Sequence, residues 1–309
     1  MTSITTLVLS GGAYNGLIEL GVLRRLSEKG VYDVKRIHGT SVGAFIAVLI
    51  ALKMDWNDLV EYFVERPWHK LLSINPIELY TKKGAFDKHF FISALSPLFA
   101  AKGLVIETIS LKDFKEYSRI ELYFYAIKLA TFEVCEISSE SHPEMLLIDA
   151  VAMTCCMPVA FRPVLYKGEY YIDGGIACNY PLREAIAKNA DISKNYYSPD
   201  AYGVAKNAPD AEILGITFDL GDNSATINEN SNITEYIYCL FMKISTIREF
   251  NCVKLGTIPN EIVIRCTGMN ATDGYDALFK RDARADMVKR GEIIADEWLT
   301  ARMTTRPIL

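Results

Sequence analysis

The spacing of the apolar residues changes repeatedly along the first fifty positions. Residues 4–10 (ITTLVLS) form a run of β-branched and apolar residues that predicts a buried strand. A glycine turn follows at 11–16, and residues 17–30 have the apolar spacing of a helix. Residues 33–40 predict a second strand, and residues 42–52 predict a buried helix. This order is typical of a parallel sheet covered by helices, so we expect an α/β fold.

The same alternation continues to the end of the chain. Strands are predicted at 119–131, 132–138, 169–175, 212–220 and 261–266, and helices at 55–66, 87–103, 149–158, 181–190, 232–256 and 281–303. The polar stretch 191–210 is expected to be a surface loop, because strands and helices continue on both sides of it. We therefore expect a single domain, with a core over residues 5–220 that a strand and helices at 221–309 complete.

Composition and charge restrict the classes of partner. The chain has 309 residues, half of them apolar, and a net charge of −5. This charge disfavours nucleic acid as a partner, because phosphate binding needs a basic surface. The four histidines are scattered, so we expect no catalytic zinc site. The seven cysteines are an odd number without C-x-x-C spacing, which favours free thiols in a reducing compartment.

The N-terminal residues lack the basic and apolar regions of a signal peptide. The longest apolar run, residues 43–52, is about half of the length that spans a bilayer. We therefore expect a protein that is cytoplasmic, or delivered to an intracellular compartment without a classical signal peptide, and that contacts membranes only peripherally. The sequence does not indicate an oligomeric state.

Residues 39–43 (GTSVG) match the G-x-S-x-G pattern of a nucleophile elbow. The pattern is short enough to occur by chance, but here a strand precedes Ser41 and an apolar helix follows it, as an elbow requires. Gly39 and Gly43 avoid clashes in the sharp turn, and the free N–H groups of the helix start lie beneath the serine. We predict that Ser41 is a nucleophile; the alternative is a buried turn with a bystander serine.

A serine nucleophile needs a base. The histidines after Ser41 lie in contexts that do not resemble a Ser-His-Asp triad, and His38 is expected to be a packed or surface residue. Asp173 ends a predicted strand and is followed by Gly174 and Gly175, which places its carboxylate at the sheet edge that carries Ser41. Asp173 is therefore the preferred base, with a plain Asp-Gly turn as the alternative.

The turn at residues 11–16 (GGAYNG) follows the first strand at the same edge of the sheet. It matches neither the P-loop nor the dinucleotide-binding pattern. Glycine-rich turns expose backbone N–H groups, so we predict that this turn contributes donors to an oxyanion hole.

Three blocks, SGGAYNGLIELGVL, GTSVGAF and YIDGGIACNYPLREA, resemble the motifs of the patatin-like phospholipase family in the family's order. The stretch DAVAMTCCMPVAFRPV also resembles the family's segment before the Asp-Gly-Gly motif, and the whole resemblance covers roughly residues 5–220. It implies a three-layer α/β/α fold with a mostly parallel central sheet. It also implies a Ser–Asp dyad without histidine, hydrolysis of acyl esters of phospholipids or neutral lipids, and no metal or organic cofactor.

The resemblance assigns roles residue by residue. Ser41 would be the nucleophile and Asp173 the base, and the oxyanion hole would consist of N–H groups from Gly11, Gly12, Ala13 and Val42. Residues that support the motifs would be Asn15, Gly16, Gly39, Gly43, Gly174 and Gly175. The implied reaction is of phospholipase A or lysophospholipase type, proceeds through an acyl-enzyme, and takes a phospholipid or other acyl lipid at a membrane or micelle surface.

Two positions depart from the family's usual G-G-G-x-[Arg or Lys]-G block. Ala13 replaces the third glycine, and we expect its φ to be negative. Asn15 replaces the basic residue and can still donate a side-chain hydrogen bond. The departure at Asn15 leaves a second hypothesis open, a catalytically weak scaffold that binds lipid or a protein partner. A third, a thioesterase or small-ester hydrolase with the same dyad, stays open because the sequence does not show how the mid-chain helices shape the acyl pocket.

Several other residues have a functional and a structural interpretation. Tyr14 is either a gate over the serine or, preferably, an exposed loop tyrosine, and Cys155 and Cys156 are expected to pack beneath the active site. Aromatic residues of the mid-chain helices are candidates for an acyl groove, with core packing as the preferred alternative for each: Tyr62, Phe63, Phe90, Phe91 and Phe99.

Overall fold

The structure is a computed structural model that describes residues 3–72, 75–193, 209–219, 227–231, 233–249, 258–266 and 271–304. The strands are β1 (Ile4–Leu9), β2 (Tyr32–Gly39), β3 (Gly84–Phe86), β4 (Glu121–Lys128), β5 (Glu133–Ser138), β6 (Val159–Phe161), β7 (Val164–Tyr166), β8 (Glu169–Asp173), β9 (Ile213–Asp219) and β10 (Glu261–Arg265). The α-helices are α1 (Gly16–Glu28), α2 (Val42–Ala51), α3 (Trp56–Glu65), α4 (Pro76–Thr81), α5 (His89–Ala100), α6 (Leu111–Ser118), α7 (Leu147–Cys155), α8 (Leu182–Ser193), α9 (Ile233–Glu249), α10 (Ala271–Phe279) and α11 (Arg281–Thr304).

The central sheet has the strand order β10-β9-β1-β2-β4-β8-β7, and β5 also pairs with β4. Neighbouring strands are parallel from β10 to β4, whereas β4 is antiparallel to β5 and β8, and β8 is antiparallel to β7. Short hairpins, rather than crossover helices, connect β4 to β5 and β7 to β8, which makes these two pairs antiparallel. The predicted α/β fold with a central sheet between helices is confirmed, and its parallel part is the half that carries β1 and β2.

Side chains of β1 alternate between the two faces of the sheet. Leu7 and Leu9 belong to the larger core, which α1, α2, α5 and α7 cover. Val8 points to a smaller core on the other face, together with Leu182 and Ala185 of α8. Because both faces of the strand are buried, β1 is apolar almost throughout, as a strand covered by helices on both sides must be.

The C-terminal elements join the same sheet and the same core. β10 pairs with β9 in parallel register, and α11 packs along α1. Arg24 of α1 forms an ion pair with Glu292 at 3.1 Å, and Arg25 forms one with Asp296 at 2.7 Å. Both pairs lie at the surface, so the apolar contact between the two helices contributes more to their association than the charges do.

The structure corrects several boundaries. The helices α4 and α10 and the short strands β3, β6 and β7 were not predicted, because segments of three to nine residues show too little periodicity. The helix predicted at 232–256 is observed over Ile233–Glu249, and 250–256 lie outside the described residues. Most of the loop predicted at 191–210 also lies outside them. Within the described residues, no helix is both long and apolar enough to cross a membrane.

Candidate active site

Ser41 lies in the turn between β2 and α2, at the sheet edge where β1 and β2 end. Its φ and ψ are 53° and −125°, a conformation that costs a residue other than glycine on the order of 1–3 kcal/mol. A Cβ atom at Gly39 would lie 2.7 Å from the backbone N of Ala44, and one at Gly43 would overlap the carbonyl oxygen of Leu9. The glycines on both sides of Ser41 are therefore required by the closeness of the neighbouring backbone.

Thr154, near the end of α7, holds the backbone of Ser41 in this turn. Its Oγ1 accepts the N–H of Ser41 at 3.0 Å and donates to the carbonyl oxygen of Tyr125 at 2.6 Å. Cys155 donates its Sγ–H to the carbonyl oxygen of Ser41 at 3.1 Å, so this cysteine does pack beneath the elbow. Thr154 is fully buried, and its role was missed from the sequence because no local pattern shows which side chain meets a distant backbone.

Asp173 ends β8 and contacts the serine directly. Ser41 Oγ donates to Asp173 Oδ2 at 2.8 Å, and the N–H of Gly175 donates to Asp173 Oδ1 at 2.7 Å. The Asp173 side chain is almost entirely buried, with 1% of the residue exposed. Burial raises the pKa of Asp173 to about 7, although the hydrogen bonds from Gly175 and Ser41 act in the opposite direction. A carboxyl with this pKa can exchange a proton near neutral pH.

Histidine takes no part in this site. All four histidines lie in the described part of the chain, and none of them hydrogen-bonds to Ser41 or Asp173. His38 is fully buried, stacks on Tyr123 with 4.4 Å between ring centroids, and has its Nδ1 2.7 Å from Tyr125 Oη. Burial lowers the pKa of His38 to about 3, so the ring is neutral at physiological pH.

The GGAYNG turn lies against the elbow, and one of its predicted donors is already occupied. The N–H of Gly11 donates to the carbonyl oxygen of Asn179 at 3.0 Å, and Asn179 Nδ2 donates to the carbonyl oxygen of Gly11 at 3.1 Å. The prediction that Gly11 supplies an oxyanion N–H therefore does not fit this geometry. Within the described residues, no acceptor meets the N–H groups of the three remaining predicted donors, Gly12, Ala13 and Val42.

The two departures in this turn have different structural consequences. Ala13 has a φ of 49°, so the expectation of a negative φ is wrong. The tight turn imposes this left-handed conformation, since the N–H of Asn15 donates to the carbonyl oxygen of Gly12 at 3.0 Å and so closes a turn that contains Ala13. The conformation costs an alanine about 1–2 kcal/mol. Asn15 is buried, and its Oδ1 has no hydrogen-bond partner in the described part of the chain.

An apolar cavity of about 410 Å³ opens beside Ser41. Its walls come mainly from α1, α2, α3, α5 and α10 and from the segment after α7. From Ser41 the cavity runs beside α2 as far as Leu49, about 12 Å along the helix axis. Tyr14 lines the cavity and is half-buried, which corrects its interpretation as an exposed loop residue. Among the aromatic candidates for an acyl groove, three line the cavity (Phe63, Phe90 and Phe91) and two do not (Tyr62 and Phe99).

Comparisons with curated proteins give relatives that share part of this chain. Probable lipid hydrolase 463L of Invertebrate iridescent virus 6 is 27% identical over 186 residues, which are 59% of this chain and 63% of the viral protein. Lysophospholipase NTE1 of Kluyveromyces lactis is 25% identical over 215 residues, which are 65% of this chain and 13% of the yeast protein. The chain thus spans less than two thirds of the length of either relative.

A solved structure and a family model extend the comparison. VipD from Legionella pneumophila matches 97% of this chain and 67% of its own with a TM-score of 0.51 at 18% identity, which shows a similar fold. The family model described as patatin-like phospholipase matches residues 7–186, more than half of the chain and a range that contains both Ser41 and Asp173. The chain therefore belongs to the patatin-like phospholipase family.

Proposed function

We propose that this protein is a lipid acyl hydrolase of phospholipase A or lysophospholipase type, with Ser41 as nucleophile and Asp173 as base. The observation that carries the proposal is the 2.8 Å hydrogen bond from Ser41 Oγ to Asp173 Oδ2 beside an apolar cavity. The names of the two relatives, a probable lipid hydrolase and a lysophospholipase, support the same class of substrate.

Acylation begins when Ser41 Oγ attacks the carbonyl carbon of the ester and Asp173 Oδ2 takes the hydroxyl proton. Negative charge develops on the former carbonyl oxygen, and the N–H groups of Gly12, Ala13 and Val42 are the proposed donors to it. When the tetrahedral intermediate collapses, the bond to the alcohol oxygen breaks and Asp173 returns the proton to that oxygen. The alcohol part of the lipid leaves, and the acyl group remains on Ser41.

Deacylation uses the same groups in the same order. Asp173 takes a proton from water, the water oxygen attacks the acyl carbon, and the bond to Ser41 Oγ breaks as the proton passes to Oγ. The hydrogen bond from the N–H of Gly175 to Asp173 Oδ1 keeps the other carboxylate oxygen directed at Ser41. A base with a pKa of about 7 is suited to both steps, because it accepts and returns a proton at neutral pH.

The cavity supports a long acyl chain as the bound part of the substrate. Its volume of about 410 Å³ lies within the range of small-ligand sites, and its walls are almost entirely apolar side chains. An acyl chain that lies along α2 would pass Phe45 and Ile46 before it reaches Leu49. The head group of the lipid would remain outside, at the surface of a membrane or micelle.

The test is release of fatty acid from phosphatidylcholine vesicles and from lysophosphatidylcholine micelles in the presence of a chelator. We expect release by the wild type and none by Ser41→Ala or Asp173→Asn. Matched controls are Ser93→Ala and Asp33→Asn, both at exposed positions, which should retain wild-type rates. Folding of every variant is checked by thermal melting.

Other outcomes separate the remaining hypotheses. Release from acyl-coenzyme A without release from either lipid would favour a thioesterase. A folded wild type that releases nothing from any substrate would contradict the hydrolase and favour a binding scaffold. Full activity of Asp173→Asn would exclude Asp173 as the base.

A further inference from the structure

Exposed large apolar side chains lie on α4, on α10 and on the turn between β4 and β5, residues 129–132. Tyr80 of α4 is 89% exposed and Tyr275 of α10 is 56% exposed. We refer to the exposed large apolar side chains of α4, of α10 and of the β4–β5 turn as the rim, which consists of Ile77, Tyr80, Leu129, Phe132, Tyr275 and Phe279. Exposed apolar side chains mark an interaction surface when they lie on the same side of a molecule.

The β4–β5 turn projects beyond the elbow. Phe124 of β4 is opposite Gly39, the last residue of β2, so the four residues from Tyr125 to Lys128 extend β4 past the end of β2. At about 3.3 Å per residue this extension is roughly 13 Å. Leu129, at the end of that extension, therefore lies farther out along the strand direction than Ser41 does.

A ring contact connects α4 to the same end of the molecule. Lys83, two residues after the end of α4, has its Nζ 5.8 Å from the ring centroid of Tyr170. Tyr170 lies in β8, the strand that ends at Asp173, and on the side of β8 that extends outward along β4. Ile77 and Tyr80 are thus close in sequence to a residue that contacts the outer part of β8.

α10 connects the rim to the cavity. Gly274, Ala277 and Leu278 line the cavity, whereas Tyr275 and Phe279 are exposed on the other side of the helix and stack with 4.2 Å between their ring centroids. One helix therefore has an inner face against the acyl cavity and an outer apolar face at the surface.

We propose that the rim inserts into the surface of a zwitterionic phospholipid layer and brings the mouth of the cavity onto it; the proposal rests on the proposed function. The occupant is a lipid surface because the helix that exposes Tyr275 and Phe279 also forms one wall of the cavity, which would receive an acyl chain from that surface. Such insertion buries apolar and aromatic side chains at the level of the head groups.

The charges near the rim favour insertion over electrostatic attraction. Lys82 pairs with Glu78 at 3.1 Å, and Lys128 pairs with Glu169 at 3.0 Å. The net charge of the chain is −5, so anionic lipids gain little from contact with it. We therefore expect binding to pure phosphatidylcholine vesicles that does not weaken between low and high salt.

The experiment measures binding and catalysis separately. Binding is measured by co-sedimentation of the full chain carrying Ser41→Ala with phosphatidylcholine vesicles, with and without Tyr80→Ser and Tyr275→Ser. The two rim substitutions together are expected to weaken the partition at least about tenfold. The matched control is Val105→Ser, since Val105 is 56% exposed. It is close in sequence to Lys102, whose Nζ donates to the carbonyl oxygen of Lys53. Lys53 follows the last turn of α2, so Val105 lies at the end of α2 that is farther from Ser41.

The second measurement uses the chain with Ser41 intact. Tyr80→Ser and Tyr275→Ser should leave the hydrolysis of a water-soluble butyrate ester unchanged and lower the hydrolysis of vesicles at least about tenfold. Unchanged vesicle binding of the rim variant, equal losses on both substrates, or binding only to anionic vesicles with strong salt dependence would each overturn the proposal. Because co-sedimentation needs no catalysis, a chain that binds vesicles through the rim but hydrolyses nothing would refute the proposed function and retain the docking surface.

Discussion

The raised pKa of Asp173 predicts a pH dependence of activity that can be measured directly. In the folded protein the carboxyl has a pKa of about 7, because burial disfavours its charged form. At pH values below 7 the carboxyl is protonated and cannot accept the proton of Ser41. The value of kcat/KM for a soluble ester is therefore expected to fall about tenfold for each pH unit below 7 and to reach a plateau above about pH 8.

The same group makes the free energy of unfolding depend on pH in the opposite direction. An aspartate in the unfolded chain loses its proton near pH 4, whereas folded Asp173 keeps its proton up to about pH 7. Between these pH values the unfolded state binds fewer protons, so the free energy of unfolding decreases as the pH rises. A pKa difference of about three corresponds to roughly 4 kcal/mol of stability that is present below pH 4 and lost by pH 8.

Asp173→Asn removes the charge and thereby isolates this contribution. An asparagine can still accept the N–H of Gly175 and meet Ser41 Oγ, but it cannot ionise. We therefore expect the variant to be inactive yet more stable than the wild type at pH 8, and close to the wild type in stability at pH 4.5. The folded protein would then be less stable at neutral pH with an ionisable Asp173 than with asparagine at this position.

The assay is urea unfolding of both proteins at pH 4.5 and pH 8, together with the pH profile of kcat/KM from pH 5 to 9. Asp33→Asn, at an exposed position, is the control for loss of a surface carboxylate, and it should change neither result. A wild-type profile that is flat between pH 5.5 and 8 would refute the assignment of Asp173 as a base with a pKa near 7. A stability difference between wild type and Asp173→Asn that is the same at both pH values would refute the linkage.

Three further substitutions test the elbow, the turn and the cavity. Thr154→Val leaves the N–H of Ser41 and the carbonyl oxygen of Tyr125 without their partner. We therefore expect the free energy of unfolding in urea to fall by about 2–4 kcal/mol and kcat to fall at unchanged KM, whereas Thr154→Ser should stay close to the wild type. An unchanged kcat would contradict the positioning role. Ala13→Gly should raise the free energy of unfolding by about 0.5–1 kcal/mol while activity is retained, because glycine adopts a φ of 49° without strain. A lower melting temperature of this variant would argue against strain at Ala13. Leu49→Phe should slow hydrolysis of long-chain esters and spare the butyrate ester, whereas equal losses on both would show that the acyl chain does not reach this end of the cavity.

Much of the site could be predicted from the sequence because its constraints are local. The spacing of Gly39, Ser41 and Gly43 follows from how closely the elbow approaches neighbouring backbone, and a close backbone approach restricts residue type within a few positions. The strand–turn–helix order of the first fifty residues was predictable for a related reason, since each element buries its own apolar face and shows the corresponding period. Asp173 was predicted because a strand that ends in Asp-Gly-Gly places a carboxylate at the edge of a sheet.

Other features depended on contacts between distant parts of the chain. Ser41 and Asp173 are 132 positions apart, and only the pairing of β4 with both β2 and β8 brings them within hydrogen-bond distance. The role of Thr154, the occupation of the Gly11 N–H by Asn179, and the inner and outer faces of α10 likewise depend on packing. The sequence by itself therefore determined the family, the order of the longer elements and the pair of residues proposed as the dyad. The tertiary structure decided which N–H groups remain available, what pKa Asp173 has and which apolar side chains stay exposed, because burial and hydrogen-bond partners are properties of the packed chain.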